Sequence, residues 1–343
     1  MDPHTSAAVA PPSDNTAACA SAEQGLDPQD GLFSTGERLR LMRDGVVNYS
    51  GFVTSGLVGI ILVPVMLRYL GTESYGLWLA AAAVSGLLGG VDFGLFWSVT
   101  REVSGSLNTT LSDATIGFVS AAGNLYLLLG IIGAGLIAGL GFPIRAGLHL
   151  SPHNDAIALK VFLLVGAIFA ADRLVLFASA MLSGLRRFGA MNAIAAGAAL
   201  VRLIGSLLLL WMGRTIVAIA VWNAVVSVLW ASFALTFVSF IQPGLRFRPG
   251  RFRWQAVRPH LSFGLLSFLT ILAVKIIWDM APLLIGFFRG PAAIVPYSIG
   301  RRFPIALHHL NSRASETFFP AASERMTAND WAGTRGILHL GTR

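Results

Sequence analysis

Apolar residues run along this chain in long blocks, without the strict alternation of a half-buried strand or the narrow stripe of a surface helix. Crossing ~30 Å of hydrocarbon takes about 20 apolar residues as a helix. Eight windows of about that length are bounded by charge or turn residues. Residues 45–67, 75–96 (with Asp92 near the end), 116–140 and 216–241 are uninterrupted. Residues 160–184 carry Asp172 and Arg173, residues 192–212 carry Arg202, and residues 261–284 carry Lys275 and Asp279. The eighth window, 292–319, holds Pro296, Arg301, Arg302, Pro304, His308, His309, Arg313 and Glu316. The pattern predicts an all-α polytopic membrane protein with about 8 transmembrane helices.

Composition agrees. Of 343 residues 55% are hydrophobic and 12% charged, about half the charge of a soluble domain, too little polar surface to coat a globule in water. The net charge of +8 does not point to nucleic acid, because no basic stripe is interleaved with aromatic residues. Residues 1–44 hold 7 of the 17 acids and 3 of the 25 basic residues, so the remaining chain carries the positive charge. That segment, rich in Ala, Ser, Pro and Asp without an apolar run, reads as a disordered cytoplasmic tail. Cys19, the only cysteine, permits no internal disulfide and no cysteine-rich metal site.

Orientation follows from where arginine and lysine accumulate. With the amino terminus inside, the cytoplasmic segments hold eleven: Arg38, Arg40, Arg43, Arg101, Arg186, Arg187, Arg246, Arg248, Arg251, Arg253 and Arg258. The opposite loops hold five: Arg68, Arg145, Lys160, Arg214 and Arg289. The basic loop 242–260 is the natural linker between a first membrane lobe, 45–241, and a partial second lobe, 261–343. Two stretches echo each other in support. Pro64 to Gly71 followed by Tyr75, and Pro282 to Gly290 followed by Tyr297, both run proline, apolar residues, arginine, glycine and tyrosine.

Enzyme signatures are missing: there is no His-Glu-x-x-His, no phosphate-binding loop and no Gly-x-Ser-x-Gly elbow. Nothing in the pattern calls for a cofactor or a metal, and the chain is not expected to be an enzyme. Gly86 with Gly90, and Gly135 with Gly139, have the spacing that lets helices approach closely. Charge inside the spans carries the chemistry, because an ionised group at the bilayer centre costs at least ~2.5 kcal/mol unless it faces protein or water. Arg173, Arg202, Lys275 and Arg302 all fall roughly 15–20 Å into their spans. With Asp172, Asp279 and Arg301 they make five cations and two acids near mid-membrane. Structural pairs, Asp172 offsetting Arg173 and Lys275 bridging Asp279 one turn on, would absorb two cations. The other three need water, a partner helix or an anionic ligand, which makes a shared cationic cavity the leading expectation. Asp92 is expected to turn the chain at Phe93-Gly94-Leu95.

The stretch from Asn48 and Gly51 through Pro64-Val65-Met66-Leu67-Arg68-Tyr69-Leu70-Gly71-Thr72-Glu73-Ser74-Tyr75-Gly76-Leu77-Trp78, then Asp92-Phe93-Gly94-Leu95 and Arg101, resembles the amino-terminal signature of polysaccharide-transporter and O-antigen flippases. These belong to the multidrug, oligosaccharidyl-lipid and polysaccharide exporter superfamily. Ser183-Gly184-Leu185-Arg186-Arg187-Phe188 with Asn192, and Asp279 with Pro282, Ile285-Gly286, Gly290 and Tyr297, are similar to the same family. The resemblance implies two six-helix lobes around a central cavity and alternating access across the bacterial inner membrane. It implies a substrate of undecaprenyl-pyrophosphate-linked oligosaccharide, destined for O-antigen, capsule or exopolysaccharide. Membrane lipid, a polysaccharide polymerase and chain-length components would be its surroundings. In that frame Arg173, Arg202, Lys275 and Arg302 attract the pyrophosphate, and Asp172 and Asp279 support them. Family members have twelve or more spans, whereas a ninth would begin here where the chain stops.

Three other readings stand beside this one. A drug or cation antiporter on the same fold would need acids in the cavity, and here the balance is cationic. A membrane enzyme acting on prenyl phosphate would need a paired acid and base or an acidic metal cluster, and the two acids are isolated in sequence. A non-transporting component of envelope polysaccharide assembly is consistent with the short second lobe.

Overall fold

The computed structural model describes the backbone of residues 35–105, 112–245, 254–305 and 307, and side chains over 61–105, 112–245, 272–305 and 307. The expected tail, Cys19, the arginines at 246–253, and His308, His309, Arg313 and Glu316 lie outside the residues described at side-chain level. The chain divides into two compact units, Met1–Val47 and Asn48–Arg343, and the residues that carry the site belong to the second.

Eight α-helices follow one another, with no strand among the described residues: α1 (Thr35–Gly89), α2 (Leu95–Gly105), α3 (Asp113–Gly147), α4 (Pro152–Gly184), α5 (Phe188–Trp211), α6 (Ile216–Ile241), α7 (Trp254–Arg289) and α8 (Ile294–Gly300). Short 3-10 turns at Pro243–Leu245 and Pro291–Ala293 precede the last two. Helices α3 to α6 are each long and apolar enough to cross a membrane. The protein is an all-α polytopic membrane protein.

α1 contains the first expected span and most of the second, and is broken at Gly71 (φ 78°, ψ 169°). Among the described residues no atom beyond its chain neighbours approaches within 4 Å of the place a Gly71 Cβ would take, so the glycine serves the left-handed backbone and not a tight contact. The second span was expected to reach residue 96, but its helix stops at Gly89. Phe93 (φ 51°) and Gly94 (φ 71°) are both left-handed, which no helix continues through. Asp92 accepts the Gly94 N–H at 3.1 Å and closes the turn expected of it, and α2 starts directly afterwards. The apolar residues around the turn hide it from a hydropathy window. α3 begins on an N-cap, the Ser112 hydroxyl accepting the Thr115 N–H at 3.1 Å, with Asp113 in the first turn. α4 begins on Ser151 with Pro152 as its first helical residue, where a missing N–H costs nothing.

α4 is the hub, packing against α2, α3, α5 and α6. Small residues make this possible, since lipid offers no hydrophobic drive between helices and close backbone approach must supply the attraction. On α3, a Cβ at Gly130 would lie 3.1 Å from the Ala170 carbonyl, and one at Gly133 would enter the Phe169 ring. Gly166 on α4 returns the contact against the Ala134 carbonyl at 2.9 Å. Gly135 and Gly139, expected from their spacing to pack closely, meet nothing within 4 Å among the described residues, because the helical face toward α4 runs through 130, 133 and 141. Helices α5 and α6 dock through two indoles. Trp222 lies over Gly205 and donates to the Val201 carbonyl at 3.3 Å; Trp230 lies over Gly197 and donates to the Ile194 carbonyl at 2.6 Å. Large apolar side chains such as Phe240 and Phe288 point outward, as a lipid-facing surface requires.

Candidate functional site

Asp279, on α7, is the most buried acid described, 7% exposed. Its seat is Gly86 of α1, where a Cβ would stand 2.9 Å from the carboxylate. An isolated carboxylate there would be prohibitive, and two cations answer it. Arg301 Nη2 donates to Oδ1 at 2.9 Å and Lys275 Nζ to Oδ2 at 3.5 Å. The Lys275 bridge was expected from i, i+4 spacing; the closer partner, Arg301, was not. Arg301 also donates through Nη1 to the Trp278 carbonyl.

Asp279 and Arg301 border a cavity of about 200 Å³. Leu79, Ala82 and Ala83 of α1 form its apolar wall, and Asp279, Ser298, Arg301 and Arg302 bring the polar groups. Arg302 also reaches the hydroxyl of buried Tyr75 on α1. Of the four expected substrate-binding cations, then, Arg302 lines the cavity and Lys275 stands behind it on Asp279.

The other two are held elsewhere by partners of their own. Arg202 Nη2 donates to Asp172 Oδ1 at 2.7 Å and to Ser227 Oγ at 2.5 Å, so one side chain ties α4, α5 and α6 together. Asp172 therefore pairs with Arg202 and not with Arg173, because consecutive helical residues point about 100° apart and only one of them faces α5. Arg173 turns to α1 and donates to the Gly89 carbonyl at 2.9 Å, while its guanidinium lies 4.6 Å from the Phe169 ring centre. A cation on the last carbonyls of a helix is favoured by the helix dipole, and the aromatic face adds to it. Both Arg173 and Arg202 keep a buried Nε with no hydrogen-bond partner.

A second polar cluster lies where α1 kinks. Glu73 accepts the Ser151 N–H at 2.6 Å, Ser74 donates to Asn154 Oδ1 at 2.8 Å, and Asn154 donates to Ser151 Oγ at 3.3 Å. Arg145, at the end of α3, grips Asp155 in the first turn of α4 through two parallel bonds. Burial alone would raise the Glu73 pKa, but the bonds from Ser151 and Asn154 and the nearby His153 outweigh it and hold it below the usual carboxylate value. Glu73 and Ser74 thus fasten the start of α4 to the bend in α1.

A close approach unites this end with the later helices. A Cβ on Gly76 would fall 2.0 Å from the Pro291 carbonyl oxygen, Gly147 meets Phe287, and Gly286 meets Leu148 and Ile294. The turn at Gly290 (φ 80°) folds the chain back so that Arg301 reaches Asp279.

No curated protein matches the chain. A family profile described as polysaccharide biosynthesis protein matches residues 41–326, which takes in all the described helices except the first residues of α1, and all of the cavity's lining. Over that length, the chain belongs to the polysaccharide biosynthesis protein family.

Proposed function

We propose that the protein is a transporter of lipid-linked oligosaccharide, moving an undecaprenyl-pyrophosphate-linked precursor across the bacterial inner membrane without making or breaking a covalent bond. The observation that carries this reading is the cavity that sets Arg301 and Arg302 beside an apolar wall of Leu79, Ala82 and Ala83. At about 200 Å³ it is smaller than the ~300–1,000 Å³ of a drug-sized pocket, a size that suits the phosphate-bearing part of a substrate whose prenyl chain stays in lipid. Paired guanidinium groups suit phosphate oxygens because their planar forks bind two at once. Arg173 and Arg202, in this reading, belong to the same cationic path, and binding acts by stabilising an anionic head group inside the membrane.

The amino terminus is cytoplasmic, the basic segment between α6 and α7 joins two lobes on that side, and polymerase and chain-length components receive the product. An antiporter for drugs or cations would need a carboxylate open to its cargo. Asp172 and Asp279 are each committed to arginine, which favours the anion reading. The test is transport of a short-chain prenyl pyrophosphoryl sugar in proteoliposomes. Arg302→Ala should abolish it at unchanged protein abundance, Arg302→Lys should restore it in part, and parental transport by a folded Arg302→Ala protein would defeat the proposal.

A further inference from the structure

We infer that Asp279 is an internal competitor of the substrate: its carboxylate occupies Arg301 when the cavity is unloaded, the phosphate must displace it, and its return releases the phosphate. This rests on the reading of the cavity as the phosphate site.

A carboxylate and a phosphate ask the same thing of a guanidinium, two acceptor oxygens in the plane of the fork. Both bidentate edges of a guanidinium, Nε with Nη2 and Nη1 with Nη2, run through Nη2, the nitrogen that Asp279 holds at 2.9 Å, and Nη1 is also on the Trp278 carbonyl. A phosphate gripping either edge therefore comes up against the Asp279 carboxylate, and two anions at one nitrogen compete for it. Asp279 and Arg301 border the same cavity. The carboxylate is held at that wall because Gly86 behind it leaves room for Asp279 and for nothing more.

Displacement does not strand the acid. Lys275, 3.5 Å away and carried one turn earlier on the same helix, stays beside Asp279 when Arg301 turns to the ligand. Among its described side chains, α1 brings Leu79, Ala82 and Ala83 to the cavity and Gly86 to Asp279, none of them charged, so none of these competes for either cation. Lys275 is in this account the stand-in partner of Asp279 rather than a ligand of the substrate. The arrangement answers a general demand on a transport site, which must bind well enough to load and weakly enough to unload.

The signature has opposite signs in two measurements. Using the full chain in lipid nanodiscs, titration with a short-chain prenyl pyrophosphoryl glucose should show Asp279→Asn binding about tenfold or more tightly than the parent, the worth of one charge-assisted hydrogen bond no longer surrendered. In proteoliposomes the same variant should translocate the probe several-fold more slowly. Asp279→Ser should repeat both changes, and Asp279→Glu should stay near the parent in both. A loss that was merely structural would weaken binding and transport together. Neutral variants that retain the parental melting transition yet bind the probe no tighter would overturn the inference. A parent protein that does not bind the probe at all would remove the phosphate-site reading and this inference with it, an outcome visible before any variant is made.

Discussion

Glu73 and Ser151 meet across the bundle, the carboxylate of one accepting the backbone N–H of the other at 2.6 Å. Ser151 is the residue on which α4 starts, so an acid from a neighbouring helix takes up a donor that the helix itself cannot satisfy. Glu73→Gln should cost about 1 kcal/mol or less, since the group is partly exposed and its charge is screened. The sign with pH follows from a folded-state pKa held below the unfolded value. The contribution is complete above the ordinary carboxylate range and is lost as pH falls through the lowered value. Thermal melts of parent and variant should therefore converge in acid and separate toward neutrality; a constant gap would contradict this.

Arg202 is expected to matter first for stability. Arg202→Ala leaves Asp172 without its cation and Ser227 without its donor, at a cost of about 1–3 kcal/mol, less than the ~3–5 of a fully buried pair because both side chains are about a third exposed. Adding Asp172→Asn should recover part of the loss. A double-mutant cycle read by detergent-resistant melting checks it, and strict additivity would mean that the two do not interact.

The two partners of Asp279 should prove unequal. Lys275→Ala leaves Arg301 in place at 2.9 Å and should destabilise mildly, whereas Arg301→Ala leaves only Lys275 at 3.5 Å and should be the more damaging change. Asp279→Asn should partly rescue Arg301→Ala. Yields and melting midpoints of the three proteins give the ranking.

Gly76→Ala should be among the most disruptive substitutions in the chain, because the added carbon would lie 2.0 Å from a backbone oxygen of Pro291 that no rotamer can move. Gly135→Ala, with open space around it, should be tolerated and serves as the control. A Gly76→Ala protein that melts like the parent would refute the contact.

Orientation can be settled with reporter fusions. A fusion at Gly250 should report a cytoplasmic position and one at Thr72 the opposite side, following the excess of arginine and lysine in the segments around the former. The reverse result would invert the whole arrangement.

Much of this protein could be read from its residues, for reasons that particular positions make plain. Long apolar blocks announce helices because nothing else satisfies a backbone in lipid, and α3 to α6 follow. The turn at Asp92 was legible because an Asp followed by Phe-Gly offers both the acceptor and the left-handed glycine. The Lys275–Asp279 bridge was legible because it lies within one helix. Contacts between helices were not. Nothing local tells Asp172 to choose Arg202, thirty residues on, over its neighbour Arg173. Arg301 was counted among the charged residues but not assigned to Asp279, because their meeting depends on the reversal at Gly290. Glycine spacing announced close packing, yet which glycines face a partner depends on a rotation of the helix that spacing leaves open, and Gly135 with Gly139 fell on the wrong side.

The indoles of Trp222 and Trp230 are eight residues apart on α6, and the glycines beneath them, Gly205 and Gly197, are eight apart on α5 in the opposite order. Two seats at matched intervals on antiparallel rods act like the teeth of a ratchet with one setting: a slip of a single residue would unseat both rings and break both bonds to the Val201 and Ile194 carbonyls. The pair can travel only as one stiff plank. The left-handed residues at Gly71, Phe93-Gly94, His149, Arg186 and Gly290 all lie outside the pair, so a rearrangement that pivots at them leaves α5 and α6 in fixed register.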